Sequence, residues 1–172
     1  MSAEVIIDGD GNQGRWIRTA LDYLPEDIME QMKGNLVILG VGATGGCRLP
    51  DHYREREIVL FSDWVFPPSD DPEGDEAGQF FIIALLHEIA HAVCRHKSPA
   101  WDKLSQEEIQ AQEDEADSLA IDWFNRHIEQ GDNEDPKTMK ATEYREIVDR
   151  YSNLYVEMSV FKENWHCKNS KP

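Results

Sequence analysis

Residues 85–93 carry the sequence Leu-Leu-His-Glu-Ile-Ala-His-Ala-Val, and the rest of the chain is organised around them. Inside this apolar, helix-prone run lies the pattern His-Glu-x-x-His. Residues four positions apart lie on one face of an α-helix, so His87 and His91 point in the same direction. Two imidazoles at this spacing can bind one zinc ion, with Glu88 beside them as a general base. The alternative is a partly buried helix whose two histidines and glutamate bind nothing.

The composition predicts a folded, soluble and acidic protein. A chain of 172 residues is expected to form one domain, which we place at residues 1–163, followed by a frayed tail at residues 164–172. Acidic side chains outnumber basic ones by 34 to 17, and the formal net charge is -17. Such a surface repels phosphate backbones and anionic lipid head groups, so we expect neither nucleic acid nor a membrane as a partner.

Three features predict a cytoplasmic location. The three cysteines, an odd number at wide spacing, do not indicate a disulfide framework. The first residues lack the basic region and apolar core of a signal peptide. The longest apolar run, residues 80–86, is far short of the ~20 residues of a membrane span, which argues against an intramembrane protease with the same motif.

Apolar periodicity and turn residues predict an α+β fold. Strands are expected at residues 4–8, 35–41, 47–49 and 57–62, and the last two are expected to pair antiparallel. Helices are expected at residues 16–24, from Pro25 to Gly34, and at residues 76–96, 105–128 and 138–161. In this fold a small, mostly antiparallel sheet packs on the helix that bears the motif. A second ligand-bearing helix and a C-terminal helix follow.

A catalytic zinc site needs a third protein ligand and leaves its fourth position to water. The candidates after the motif are Cys94, His96, Glu107, Glu108, Glu113, Asp114, Glu115, Asp117 and His127. The metzincin pattern fails, because Cys94 and Lys97 occupy the positions of its glycine and its third histidine. His96 is expected at the C-terminus of the motif helix, where a cationic side chain complements the helix dipole.

Glu113 is the preferred third ligand. Glu113 and Asp117 are four residues apart and share a face of the next predicted helix. Ala116 and Ala120 lie on the adjoining face, where small side chains let this helix pack close to the motif helix. Asp117 can then accept the second ring N–H of a ligand histidine and fix its tautomer. Glu115 points away from Glu113 and is interpreted as a solvated charge.

The motif followed by Glu113-x-x-Ala116-Asp117 resembles the arrangement of gluzincins, such as HtpX-like and thermolysin-like peptidases. The longer string Glu113-x-x-Ala-x-x-Leu-Ala-x-x-Trp-Phe also resembles the ImmA/IrrE class of small metallopeptidases. The likeness covers about residues 55–128. Unlike many ImmA/IrrE proteins, the chain has no clear helix-turn-helix segment. The resemblance implies a minimal zincin-like fold and a gluzincin-type zinc metallopeptidase that acts on a peptide or protein.

The chemistry and the resemblance together imply one mechanism. A zinc ion held by His87, His91 and Glu113 carries a water molecule, and Glu88 activates this zinc-bound water to hydrolyse a peptide bond. Pairing with a sheet edge would present the substrate, and residues 58–62 are the candidate strand. The oxyanion donor stays open among Tyr144, Tyr151, Tyr155, His127 and His166.

The sequence leaves the role of Cys94 and a non-catalytic function to be considered. Cys94, three residues after His91, could approach the zinc, but a small core residue is the simpler interpretation. The alternative function is a non-catalytic or vestigial protein of the same fold, in which the zinc is structural and the chain acts by binding a protein partner. The oligomeric state is not predicted.

Overall fold

The computed structural model describes residues 6–8, 11–34, 36–41, 46–51, 56–62, 76–97, 102–131, 138–148 and 150. Its strands are β1 (Ile6–Asp8), β2 (Leu36–Val41), β3 (Gly46–Asp51) and β4 (Arg56–Ser62). Its helices are α1 (Gly11–Leu21), α2 (Glu26–Met32), α3 (Glu76–Cys94) and α4 (Gln106–Gln130), and residues 141–148 form a further helix, α5.

The strands form a mixed sheet in the order β1-β2-β4-β3. β1 pairs with β2 and β2 pairs with β4 in parallel, whereas β3 pairs with β4 antiparallel. The predicted α+β fold with a small, mostly antiparallel sheet is therefore wrong: two of the three described ladders are parallel, and most of the described chain is helical. The parallel β1–β2 pair follows from its connection, because α1 and α2 fill the long crossover that parallel strands require.

The strand predicted to receive substrate does not lie at an edge of the sheet. β4 is flanked by β2 on one side and β3 on the other, so partners within the sheet occupy both of its sides. Among the described strands, the edges are β1 and β3. The prediction that residues 58–62 pair with substrate is therefore wrong.

Helix α1 supplies the apolar stripe that the sequence predicts. Its inward residues and those of the following turn are buried, namely Trp16, Ile17, Ala20, Leu21 and Leu24. Trp16 packs edge-on against Phe81 of α3, with ring centroids 5.9 Å apart. The apolar residues just before the motif and within it are also buried, namely Leu85, Leu86, Ile89 and Ala90. The motif therefore lies on a helix that is fixed by the core of the protein.

Helix α3 ends at Cys94, two residues earlier than predicted, in a Schellman turn. Arg95 adopts the left-handed backbone conformation, with φ at 54°. Its N–H donates to the carbonyl of Ala92 at 3.2 Å, and the N–H of His96 donates to the carbonyl of His91 at 3.0 Å. The turn directs the backbone back along the helix, so that His96 lies beside the last turn of α3.

Helix α4 packs along α3. Ala116 and Ala120 of α4 are fully buried, as the prediction of small residues on its inward face requires. The helix starts in the predicted capping box: the Ser105 hydroxyl accepts from the Glu108 N–H at 3.2 Å, and the Ser105 N–H donates to the Glu108 carboxylate at 2.8 Å. These hydrogen bonds lower the pKa of Glu108.

Two side-chain amides tie the chain on either side of α4 back onto this helix. The Lys97 N–H donates to Gln112 Oε1 at 2.7 Å, and Gln112 Nε2 donates to the Lys97 carbonyl at 3.2 Å. Beyond the other end of α4, the Met139 N–H donates to Asn125 Oδ1 at 2.6 Å, and Asn125 Nδ2 donates to the Met139 carbonyl at 2.8 Å. Both flanking segments are thus fixed to α4 through their backbone.

The chain divides into two compact units, residues 1–139 and residues 140–172. The first unit contains all the elements from β1 to α4. In the second unit residues 141–148 are helical, and Tyr144 and Ile147 of the predicted apolar stripe are buried. One domain over residues 1–163 stays a prediction, and the tail predicted at residues 164–172 lies outside the described residues.

By length and composition, the segment Ala77–Cys94 of α3 could cross a membrane. This apolar segment is longer than the run of residues 80–86 that the sequence analysis considered. Half of it is buried inside the protein, and the core helix of a soluble protein meets the same criterion. The segment is therefore weak evidence for a membrane span.

Candidate metal centre

Helices α3 and α4 bring three of the predicted residues together. His87, His91 and Glu113 each offer one ligand atom, and these atoms lie within 4.8 Å of one another. The two Nε2 atoms of the histidines are 2.9 Å apart. Glu113 Oε2 lies 3.4 Å from His87 Nε2, and Glu113 Oε1 lies 3.7 Å from His91 Nε2. The group could hold a metal ion.

These separations suit a tetrahedral ion. Zinc binds nitrogen and oxygen ligands at about 2.0–2.2 Å, so neighbouring ligand atoms of a tetrahedral site lie about 3.3 Å apart. The three separations in this group, from 2.9 to 3.7 Å, bracket that value. Both histidine side chains are 13% exposed, whereas the Glu113 side chain is 45% exposed. The site is therefore closed on its histidine side and open to solvent beside the glutamate.

Asp117 lies one helical turn beyond Glu113 and contacts the other nitrogen of His87. His87 Nδ1 is 2.9 Å from Asp117 Oδ1, so the ring N–H donates to the carboxylate. Burial lowers the pKa of His87, but hydrogen bonds with Asp117 and Glu113 and the negative charge of Glu88 raise it more. The balance raises the pKa of His87 from 6.5 to about 9. The same pairing with His87 lowers the pKa of Glu113, despite its partial burial.

Glu88 follows His87 directly on α3, and its charge acts on the His87 ring. Its side chain is half-buried, between the core and the solvent. The role of Glu88 as a general base stays a prediction.

His96 and Glu115 belong to the same cluster, and their contacts there were not predicted from the sequence. His96 Nδ1 lies 2.8 Å from His91 Nδ1, and His96 Nε2 lies 3.1 Å from Glu115 Oε2. Both residues were among the candidate third ligands, but His96 was expected to complement the helix dipole and Glu115 was interpreted as a solvated charge. Helical spacing could not find this contact, because His96 lies beyond a turn whose left-handed residue, Arg95, is not a glycine.

Cys94 does not belong to the group formed by His87, His91 and Glu113 but to a second, neighbouring group of potential ligands. Cys94, His96 and Glu115 also offer ligand atoms within 4.8 Å of one another. Burial raises the pKa of the Cys94 thiol, and the charge of Glu115 adds to this effect. A thiol with a raised pKa is a weaker metal ligand, since metals bind the thiolate.

The other candidate residues have different surroundings. Asp114 accepts a hydrogen bond from Gln110 at 3.0 Å, and Glu108 belongs to the capping box. His127 stacks on Tyr23, with ring centroids 3.9 Å apart. Of the oxyanion candidates, Tyr151, Tyr155 and His166 lie outside the described residues. The oxyanion donor therefore stays unassigned.

Two histidines and a glutamate on adjacent helices define a candidate metal centre, with a further glutamate next to the first histidine. A family model described as Peptidase U49 matches residues 65–157, more than half of the chain. The chain therefore belongs to the Peptidase U49 family. No curated protein and no solved structure matches the chain. The family supports a peptidase, while the resemblance to gluzincins and to the ImmA/IrrE-like and HtpX-like families stays a prediction.

Proposed function

We propose that this peptidase is zinc-dependent and that His87, His91 and Glu113 hold the ion. The observation that carries the proposal is the convergence of two Nε2 atoms and one carboxylate at 2.9, 3.4 and 3.7 Å. Two histidines and a glutamate are a ligand set that catalytic zinc sites use, with the fourth position left open. The half-exposed Glu113 side supports such an opening toward substrate.

A zinc ion in this site would act as a Lewis acid: it would polarise the carbonyl of the substrate and lower the pKa of a bound water to about 7. Glu88 is the proposed general base: it accepts the proton of the attacking water and delivers it to the leaving amine. Asp117 holds His87 by accepting its Nδ1–H at 2.9 Å, which leaves Nε2 free to bind the ion. These roles use residues of α3 and α4 alone.

The substrate class follows from the family, since a peptidase acts on a peptide or a protein. The described sheet edge that α3 packs against is β3 (Gly46–Asp51), so β3 replaces residues 58–62 as the candidate for pairing with an extended substrate. The acidic net charge of -17 favours a basic over an acidic substrate.

Peptide cleavage with and without zinc tests the proposal. Purified full-length chain is stripped with a chelator, reloaded with zinc, and incubated with a peptide library made from a digested proteome. We expect new peptide termini by mass spectrometry only when zinc is present. Glu88→Gln should still bind one zinc per chain but should lose cleavage by at least ~100-fold, because a general base typically contributes 10²–10⁴-fold.

Glu129→Gln is the matched control, since Glu129 is an exposed glutamate near the other end of α4. This variant should cleave as the unchanged chain does. Cleavage that survives Glu88→Gln would overturn the proposed mechanism. A chain that binds zinc, does not cleave, and unfolds when His87 or His91 is replaced would instead support the structural-zinc alternative.

A further inference from the structure

His96 occupies a specific position between a proposed zinc ligand and a carboxylate. Its side chain is 7% exposed, and its ring makes an edge contact with the His91 ring, with centroids 4.9 Å apart. Nδ1 of His96 faces Nδ1 of His91 at 2.8 Å, and Nε2 of His96 faces Glu115 at 3.1 Å. Both nitrogens of His96 are therefore engaged within the cluster.

The backbone on both sides of the His96 ring is held in place. On one side, the Schellman turn fixes the His96 N–H to the His91 carbonyl at 3.0 Å. On the other side, the side-chain amide of Gln112 binds both the N–H and the carbonyl of Lys97. The His96 ring therefore lies on a short segment, residues 95–97, whose backbone is hydrogen-bonded to both α3 and α4.

One consistent assignment of the protons along His91, His96 and Glu115 follows from these distances. A carboxylate only accepts, so Glu115 accepts the Nε2–H of His96. The Nδ1 atom of neutral His96 then carries a lone pair, so it accepts the Nδ1–H of His91. This leaves the lone pair of His91 on Nε2, which is the atom that faces His87 and Glu113. The proton assignment is inferred from the hydrogen-bond network.

We propose that His96, held by Glu115, is a positioning residue that fixes the tautomer and ring orientation of His91 for metal binding. The inference rests on the proposed function, in which His91 Nε2 binds the ion. It gives the two ligand histidines different supports: Asp117 accepts from His87, and His96 accepts from His91. Outer partners of this kind set metal affinity through the orientation of the ligand ring.

A second metal ion between Cys94, His96 and Glu115 is the competing interpretation of the same cluster. Nε2 of His96 is the ring atom that faces Glu115, so it would be the ligand, and the proton on this ring would then lie on Nδ1. His91 would have to accept that proton through its own Nδ1, which would place its remaining proton on Nε2. A proton there would block the proposed metal site, so the positioning role suits the cluster better.

Zinc affinity of His96 variants, measured by competition with a chromophoric chelator, tests the proposal. We expect His96→Ala and His96→Phe to weaken zinc binding by about 10–100-fold, because neither side chain accepts a hydrogen bond. His96→Asn should recover most of the loss, because its amide oxygen can take the place of Nδ1. Glu129→Gln, at an exposed position near the other end of α4, is the control and should have no effect on affinity.

A spectroscopic readout separates positioning from a general loss of stability. In the cobalt-substituted chain, the Nδ1–H protons of two ligand histidines should give two strongly shifted, slowly exchanging proton signals. Asp117→Ala should remove one of them and His96→Ala the other, while His96→Asn should retain both. Circular dichroism and urea unfolding of each variant establish that the folded chain is being measured.

The outcomes distinguish this inference from the proposed function. If the unchanged chain binds no zinc, the proposed function fails. If it binds one zinc per chain and His96→Ala keeps both the affinity and the two proton signals, only the positioning role is overturned. Binding of two zinc ions, with one lost in Cys94→Ser, would also overturn it in favour of a second metal site.

Discussion

Raising the pH of the metal-free protein tests the electrostatic surroundings of His87. The pKa of His87 is about 9 in the folded chain and 6.5 when unperturbed. Below pH 6.5 both the folded and the unfolded states hold the proton, so its stabilising effect is fully present. Between these two pKa values only the folded state holds it, and stability falls as the pH rises. Above pH 9 the contribution is lost.

The size of the effect follows from the two pKa values. Each pKa unit corresponds to about 1.4 kcal/mol, so the interval from 6.5 to about 9 amounts to about 3 kcal/mol of unfolding free energy. The side chain of His87 is only 13% exposed, so solvent screening reduces this value little. The lowered pKa of Glu113 reports the same interaction and is not added to it.

Urea unfolding in the presence of a chelator, at pH values from 6 to 10, measures this loss. Tryptophan fluorescence and circular dichroism should give coincident transitions, so that one free energy describes unfolding. His87→Gln is the reference, since it removes the titrating group and keeps all the others. We expect the unchanged chain to lose about 3 kcal/mol more than His87→Gln across this interval. Equal losses in the two chains, or a gain in stability with pH, would refute the reasoning.

Three further predictions concern the supports of the site. Asp117→Ala should weaken zinc binding about 10–100-fold in the chelator competition, because His87 loses the acceptor at 2.9 Å; an unchanged affinity would contradict this. Arg95→Gly should raise the unfolding free energy by about 1 kcal/mol, since glycine adopts the left-handed φ of 54° without strain; a lower urea midpoint would count against it. Ala120→Leu should lower the unfolding free energy by about 1–3 kcal/mol and also weaken zinc binding. Ala120 is fully buried on the helix that carries Glu113, so the added volume must displace its packed neighbours; an unchanged urea midpoint would contradict this.

Much of the candidate site follows from short-range rules. His87 and His91, and likewise Glu113 and Asp117, are pairs four residues apart, and helical geometry alone places each pair on one face. The small residue Ala116 then indicates which face of α4 approaches α3. The structure places these side chains together as the spacing predicts, while their roles in metal binding and catalysis remain to be tested.

Other features depend on contacts that no local pattern encodes. A strand is recognisable from its apolar residues, but the order β1-β2-β4-β3 depends on pairing between strands that are not neighbours in the sequence. For this reason the sequence analysis placed residues 58–62 at an edge. His96 was underestimated for a different reason: a left-handed arginine ends α3, and only the resulting turn brings the His96 ring onto His91.

The two hydrogen bonds between the Gln112 side chain and the Lys97 backbone allow the loop between α3 and α4 to vary in length among related chains. They join α4 to the end of α3 at a fixed point, so the segment between Lys97 and Ser105 does not set the position of Glu113. Adding residues there would cost only loop-closure entropy, about 0.6 kcal/mol for each doubling of length. The number of residues between the histidine pair and the glutamate can therefore drift in evolution while the three ligands stay together. Relatives should be recognised by the pair Gln112 and Glu113 in the first half of α4, with Asp117 one turn later, rather than by a constant gap.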